Sequence, residues 1–222
     1  MEKRTIQFGK YDTALHGWTL TGYTLSDPEQ KTNYVEKPSG DGSWDLSTVM
    51  TDGRPRYKDR TLTATFEHSE GTRLERQEII SEMVNELDGL EFRIVLPDYP
   101  SRYITGRVHV GLSYNDLAHA AVTVTAVCRP WLYRVRETAV TLRAKTAKQV
   151  AAVRNSGRLA MVPKITVTGD AAEVLLEYGA SSLALSAGAY EWTAFVLTPG
   201  NHALTYSGTG AVEITYREAV LR

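Results

Sequence analysis

Strict alternation of apolar and polar residues in two separated stretches constrains this chain most. Leu62, Ala64 and Phe66 alternate with Thr61, Thr63 and Thr65. Val122, Val124, Ala126 and Cys128 alternate with Thr123, Thr125 and Val127. A period of two puts every second side chain on one face, so each stretch predicts a β-strand with one buried and one wet face. Ile104, Val108 and Val110 suit a preceding strand, and Asn115-Asp116 supplies turn chemistry to lead it back into the next. A sheet with an apolar face needs a cover.

One segment can provide it. Ile79, Ile80, Met83, Val84 and Leu87 recur at helical spacing over Arg73–Asp88. Thr72 and Glu75 have the capping-box spacing, in which each side chain satisfies an otherwise unpaired N–H near the start of a helix. Gly89 stands where a left-handed C-terminal cap belongs. The first part of the chain therefore predicts an α+β arrangement, mostly strand with one packed helix.

The composition changes near Arg134–Glu137, just after Pro130-Trp131. Residues 1–136 carry 36 charged side chains, and the 86 residues that follow carry 15. This sets two domains, 1–136 and 137–222. The second predicts an all-β sandwich, with short apolar runs at Val140–Leu142, Ile165–Val167, Val174–Leu176, Leu183–Leu185, Tyr190–Leu197, Ala203–Tyr206 and Val212–Tyr216. Gly169-Asp170, Gly179, Gly188, Pro199-Gly200 and Gly208-Thr209-Gly210 read as the turns between them.

Several function classes find no support. The 222 residues hold 25 basic and 26 acidic side chains, for a net charge of -1, which excludes the basic footprint of a nucleic-acid binder. The single Cys128 excludes an internal disulfide or a cysteine metal cluster. It sits on the apolar face of its strand, where a thiol is inert. No run reaches the ~18 apolar residues of a membrane span. The start, Met1-Glu2-Lys3-Arg4-Thr5-Ile6, lacks a signal peptide's apolar core, so synthesis in a reducing cytoplasm is expected. His16, His68, His109, His119 and His202 make no metal-binding spacing, and Asp116 with His119 is only a local pair in a turn. No Gly-x-Ser-x-Gly elbow and no phosphate-cradling loop is present. Asp41 and Asp45 flank Trp44 as a carboxylate pair could in a glycosidase, but Ser39-Gly40-Asp41-Gly42-Ser43 is turn chemistry. The expectation is a protein that is not an enzyme and carries no cofactor or metal.

Two clusters remain. Arg54-Pro55-Arg56-Tyr57-Lys58-Asp59-Arg60 is the densest basic stretch. It reads either as a solvated loop and strand start or as a contact surface built on Arg54, Arg56, Tyr57 and Arg60. Tyr190 and Trp192, on alternate positions, read either as core or as a sugar-stacking platform.

The order of several short motifs resembles the distal tail protein family of long non-contractile-tailed bacteriophages and their prophages. In the first segment these are Phe8-Gly9-Lys10-Tyr11-Asp12-Thr13, Pro28-Glu29-Gln30-Lys31-Thr32, Val35-Glu36-Lys37-Pro38 and Gly40-Asp41-Gly42-Ser43-Trp44-Asp45-Leu46-Ser47. Tyr57-Lys58-Asp59-Arg60, Asn85-Glu86-Leu87-Asp88-Gly89, Tyr103-Ile104-Thr105-Gly106-Arg107 and Cys128-Arg129-Pro130-Trp131 follow. In the second segment Val153-Arg154-Asn155-Ser156-Gly157, Pro163-Lys164-Ile165-Thr166-Val167, Leu197-Thr198-Pro199-Gly200-Asn201 and Val212-Glu213-Ile214-Thr215-Tyr216-Arg217 continue the likeness. Trp44 and Trp131 depart from the residues usual there.

The resemblance implies a mainly β fold, with a tail-tube-like, β-sandwich-like N-terminal domain. The C-terminal domain would be a sandwich similar to galectins or carbohydrate-binding modules. It implies a structural hub at the virion tail tip, made in the host cytoplasm. Copies would form a hexameric ring joining the tail tube protein to the baseplate or a tail-associated fibre or lysin protein, near the tape-measure protein. DNA would only pass through the lumen, and no membrane is involved. Pro38–Thr48 and Arg54–Arg60 are the candidate inter-subunit arms. The alternative is a carbohydrate-binding adhesion module that uses Tyr190 and Trp192.

Overall fold

The computed structural model describes residues 4–51 and 53–222, apart from the side chains of 170 and 171. Met1–Lys3, on which part of the N-terminal reading rests, lie outside the described residues. The fold is mostly β, with 54% strand and 8% helix. The chain divides into two compact units, Met1–Trp131 and Leu132–Arg222.

In the first unit the elements run β1 (Gln7–Phe8), β2 (Tyr11–Asp12), β3 (Thr19–Leu25), β4 (Tyr34–Glu36), β5 (Ser43–Asp45), β6 (Arg60–His68), α1 (Arg73–Leu87), β7 (Glu91–Val95), β8 (Arg102–Asn115) and β9 (Ala120–Cys128). One antiparallel sheet has the order β2-β1-β7-β8-β9-β6-β3. β6 and β9 pair over their whole length, from Arg60 opposite Cys128 to His68 opposite Ala120. In β6, Leu62, Ala64 and Phe66 are fully buried, as the alternation requires. Tyr23 on the edge strand β3 donates its hydroxyl to Asp98, just past β7, at 2.5 Å. The sheet therefore curls until its two sides approach each other.

α1 forms as expected. Thr72 accepts from the Glu75 N–H while the Glu75 carboxylate accepts from the Thr72 N–H, closing the capping box. Gly89 follows with φ +74. The helix buries Ile80, Met83 and Leu87, each stabilising by about 1.5–3 kcal/mol. A fourth buried position is Arg76, whose guanidinium donates to the carbonyls of Gly71 (2.6 Å) and Asp116 (2.7 Å). It ties the helix start to the β8–β9 turn. Asp116 closes that turn by accepting the N–H groups of His119 and Ala118, which hold its carboxyl below the usual range.

The second unit contains β10 (Leu132–Arg134), β11 (Thr138–Ala144), β12 (Gln149–Asn155), β13 (Lys164–Tyr178), β14 (Ser181–Leu185), β15 (Gly188–Glu191), β16 (Gly200–Tyr216) and β17 (Ala219–Val220). β10 pairs with β17, which places Leu132 and Tyr133 with this unit. Two long strands replace four expected short ones. Gly169-Asp170 lies inside β13, and Gly208-Thr209-Gly210 lies inside β16; neither is a hairpin turn. β13 and β16 pair with a register shift between Thr168 and Glu173, directly opposite those glycines. Beyond the shift, β16 exchanges one neighbour for another: β12 pairs with Gly200–Tyr206 and β11 with Gly210–Tyr216. β13 does the same with β15 and β14. Val153, Ile165, Leu176, Leu204, Val212 and Ile214, drawn from both halves, share one core. The two layers are thus halves of a single sheet bent at its glycines, a device that lets strands pass between layers.

Candidate assembly surface

Residues 27–59 leave the first unit's sheet between β3 and β6 and return to it. Their root is hydrogen-bonded like a short ladder: the Lys31 N–H donates to Arg56 and the Lys58 N–H donates to Glu29, both at 2.8 Å. Lys58 also pairs with the Glu29 carboxylate at 2.5 Å. Beyond the root, β4 and β5 form a two-stranded ribbon, with Val35 opposite Trp44. Gly42, at φ +76, makes the tight return, and the Lys37 N–H donates to its carbonyl. The Ser47 hydroxyl and N–H lower the Asp45 carboxyl's pKa. Among the described residues β4 and β5 pair only with each other, which leaves both ribbon edges open.

The ribbon satisfies its backbone locally and leaves its apolar side chains uncovered. Tyr34 is 61% exposed, Trp44 51% and Met50 93%, with Val35, Leu46 and Val49 also exposed. Val35 and Trp44, directly opposite each other, share one side of the ribbon and Tyr34 lies on the other. Exposed apolar side chains concentrated in one segment mark a candidate interaction surface. Of these, Trp44 and Leu46 fall within Pro38–Thr48, the expected inter-subunit arm, whereas Tyr34, Val35, Val49 and Met50 lie outside it. The available signal is a set of aromatic and aliphatic residues in a turn-rich stretch with no helix or strand period.

The structure separates the four expected contact residues. Arg54 and Arg56 are exposed. Tyr57 is half-buried and meets Trp131 edge to face at 5.6 Å. Arg60 is buried, with its Nε donating to the Ser26 carbonyl at 2.6 Å, and it fastens the ribbon's root. The first two therefore face outward, and the last two hold the base.

Tyr190 and Trp192 form no open platform. Trp192 lies past the end of β15, buried in the core beside Phe195. Tyr190 is half-buried and donates to the Ser186 carbonyl at 3.1 Å. Asp41 sits at the exposed ribbon tip and Asp45 in β5. Burial pushes the Cys128 thiol up to about 12. Among the described residues, no group of three His, Cys, Asp or Glu side chains could hold a metal ion.

No family model matches this sequence, and no curated protein matches it. A solved structure does. The SPP1 Dit (gp 19.1) protein, described as a paradigm of hub adsorption apparatus in Gram-positive infecting phages, covers 96% of this chain and 98% of its own, with a TM-score of 0.68. The chain shares its fold with SPP1 Dit. Identity between the two is 16%, so the likeness is one of backbone path, and side-chain roles rest on this chain's own geometry. The Dit-like path runs through both units.

Proposed function

We propose that this chain is a structural hub at the tip of a phage or prophage tail, and that its first unit closes with copies of itself into a ring. The resemblance implies six copies. On this reading the ring joins the tail tube protein and tape-measure end of the tail to a tail-associated fibre or lysin protein. The hub role stands on the fold shared with SPP1 Dit, and the ring stands on one observation. The ribbon at residues 34–50 exposes Tyr34, Trp44, Val49 and Met50 and has two open edges. A soluble chain gains by covering such a surface. A repeated head-to-tail contact that covers it closes into a ring when the rotation per copy allows. The net charge of -1 suits a lumen through which DNA passes without being held.

Size-exclusion chromatography with light scattering tests this, with and without the neighbouring tail proteins. The wild-type chain is expected as a hexamer and a Trp44→Ser, Met50→Ser chain as a monomer of unchanged fold. A wild-type chain that stays monomeric with every neighbour present, or a variant that assembles normally, would overturn it.

A further inference from the structure

If copies close head to tail, the ribbon of one must meet some surface of the next. We infer that this surface is the outer face of α1, with Arg54 and Arg56 of one copy lying along the Glu78–Glu82–Glu86 stripe of another. This inference rests on the ring reading and names its acceptor.

The donor side has a fixed spacing. Pro55 biases Arg54 towards extended backbone, and the Lys31–Arg56 hydrogen bond continues an extended ladder. Arg54 and Arg56 are two residues apart on that stretch, so their side chains share a face about 6–7 Å apart. Among the described residues no carboxylate pairs with either guanidinium. Val49 and Met50, a few residues upstream, are 66% and 93% exposed.

The acceptor has the matching period. Glu78, Glu82 and Glu86 follow one another at four-residue spacing on the exposed side of α1, which sets them about 6 Å apart along the axis. Among the described residues none of the three meets a Lys or Arg; the His16 ring Nδ1 lies 3.3 Å from the Glu82 carboxylate. A shallow groove runs beside them, lined also by Leu74, Gln77, Ser81 and Asn85. Leu74 is 79% exposed and Leu117, in the adjoining β8–β9 turn, 93% exposed. Asn115 binds that turn to the helix through the Arg73 carbonyl and Gln77, both at 3.2 Å. Of α1's own two cations, Arg73 is exposed and Arg76 is buried. Each surface therefore pairs two exposed aliphatic side chains with a row of charge, the rows opposite in sign and alike in pitch.

Within one chain the two surfaces are not paired: among the described residues no carboxylate of α1 meets Arg54 or Arg56. The ribbon is rooted at the Arg60 end of β6, and the helix starts beyond its His68 end and returns along the sheet, so that the Gly89 N–H donates to Val108. A contact between two such unlike surfaces of different copies is the heterologous kind that a ring requires.

Charge reversal in two chains tests the pairing. An R54E/R56E chain and an E78R/E82R chain, each checked for unchanged circular dichroism and melting, are run alone and mixed. Each alone is expected to need at least tenfold higher concentration to assemble at low salt. Mixed in equal amounts, each chain's ribbon meets the other's helix, so assembly returns with strict one-to-one composition by native mass spectrometry. Variants that assemble like the wild type overturn the inference and leave the ring standing. So does a failure of the mixture to rescue two defective chains. A wild-type chain that never assembles removes the ring reading and this inference together.

Discussion

Gly208→Ala is the sharpest test of how the second unit is built. Gly208 lies in β16 opposite Val174, at φ +122. A Cβ there would sit 2.9 Å from the Glu173 carbonyl carbon and 3.0 Å from the Val174 Cα, and closer still to the Glu173 oxygen. These are backbone atoms and cannot swing aside. The cost has two parts: about 1–2 kcal/mol for an L residue at left-handed φ, and about 1–3 kcal/mol for forcing volume into packed surroundings. Gly200→Ala isolates the first part, because Gly200 has φ +120 and a methyl group added there would meet nothing within 4 Å. At about 4–8 °C per kcal/mol for a unit of this size, Gly208→Ala should melt about 5–20 °C below Gly200→Ala. Thermal unfolding, followed by hydrogen exchange in peptides 164–178 and 200–216, measures the gap. Melting temperatures within 2–3 °C of each other, about half a kcal/mol, would show that β13 and β16 do not cross tightly at this bend.

Three further substitutions sort structural from surface roles. Arg60→Ala should destabilise the first unit by about 1–3 kcal/mol in urea unfolding, while Arg54→Ala and Arg56→Ala stay within about 0.5 kcal/mol. Trp192→Ala should cost about 3–5 kcal/mol of stability, so any loss of glycan binding would track unfolding; a stable variant that loses binding would restore the platform reading. The Cys128 thiol should resist thiol reagents at pH 8 in the native chain and react once it is unfolded. Its folded pKa of about 12 lies above the unfolded value. Its stabilising effect is therefore complete below about pH 8.5 and declines at up to about 1.4 kcal/mol per pH unit as the pH rises towards 12. Stability flat across that window in the wild type, compared with Cys128→Ala, would refute the burial argument.

What the sequence revealed depended on whether one local pattern carried the answer. β6, β9 and α1 were legible because each has one buried and one wet face, so periodicity alone marks it. The phase of β6 also holds a signal about Arg60, which is in register with Leu62, Ala64 and Phe66 and is buried with them. Placing Arg60 in a surface cluster neglects that phase. Arg76 escaped for the opposite reason: it occupies the helix's buried stripe, yet an Arg is not counted as apolar. In the second unit, glycine pairs that usually mark turns allow a bulge and a bend, and whether such a glycine ends a strand or bends it is decided by the strand across from it. The exposure of Tyr34, Trp44 and Met50 was not legible from periodicity, since no local rule tells whether an apolar side chain meets its own chain or another; the family resemblance pointed only to the Pro38–Thr48 part of it.

The exposed ribbon has a dynamic consequence. An isolated two-stranded ribbon is marginal in water, and this one is held by three residue pairs and a hydrogen-bonded root. Arg60 and the Lys58–Glu29 pair hold the base, so the tip is tethered and its remaining ordering is deferred until a partner covers it. A fixed root lowers the entropy lost at that step, because the chain ends need not be found again. Amides of residues 33–47 should therefore exchange in the free chain with protection well below that of β6, whose bonds lie inside the sheet. In the assembled ring the same amides should slow by tenfold or more while β6 changes little. Hydrogen exchange with mass spectrometry on both forms decides it. A ribbon as protected in the monomer as β6 would mean that its stability is already complete, and that the exposed aromatics are not waiting for a second copy.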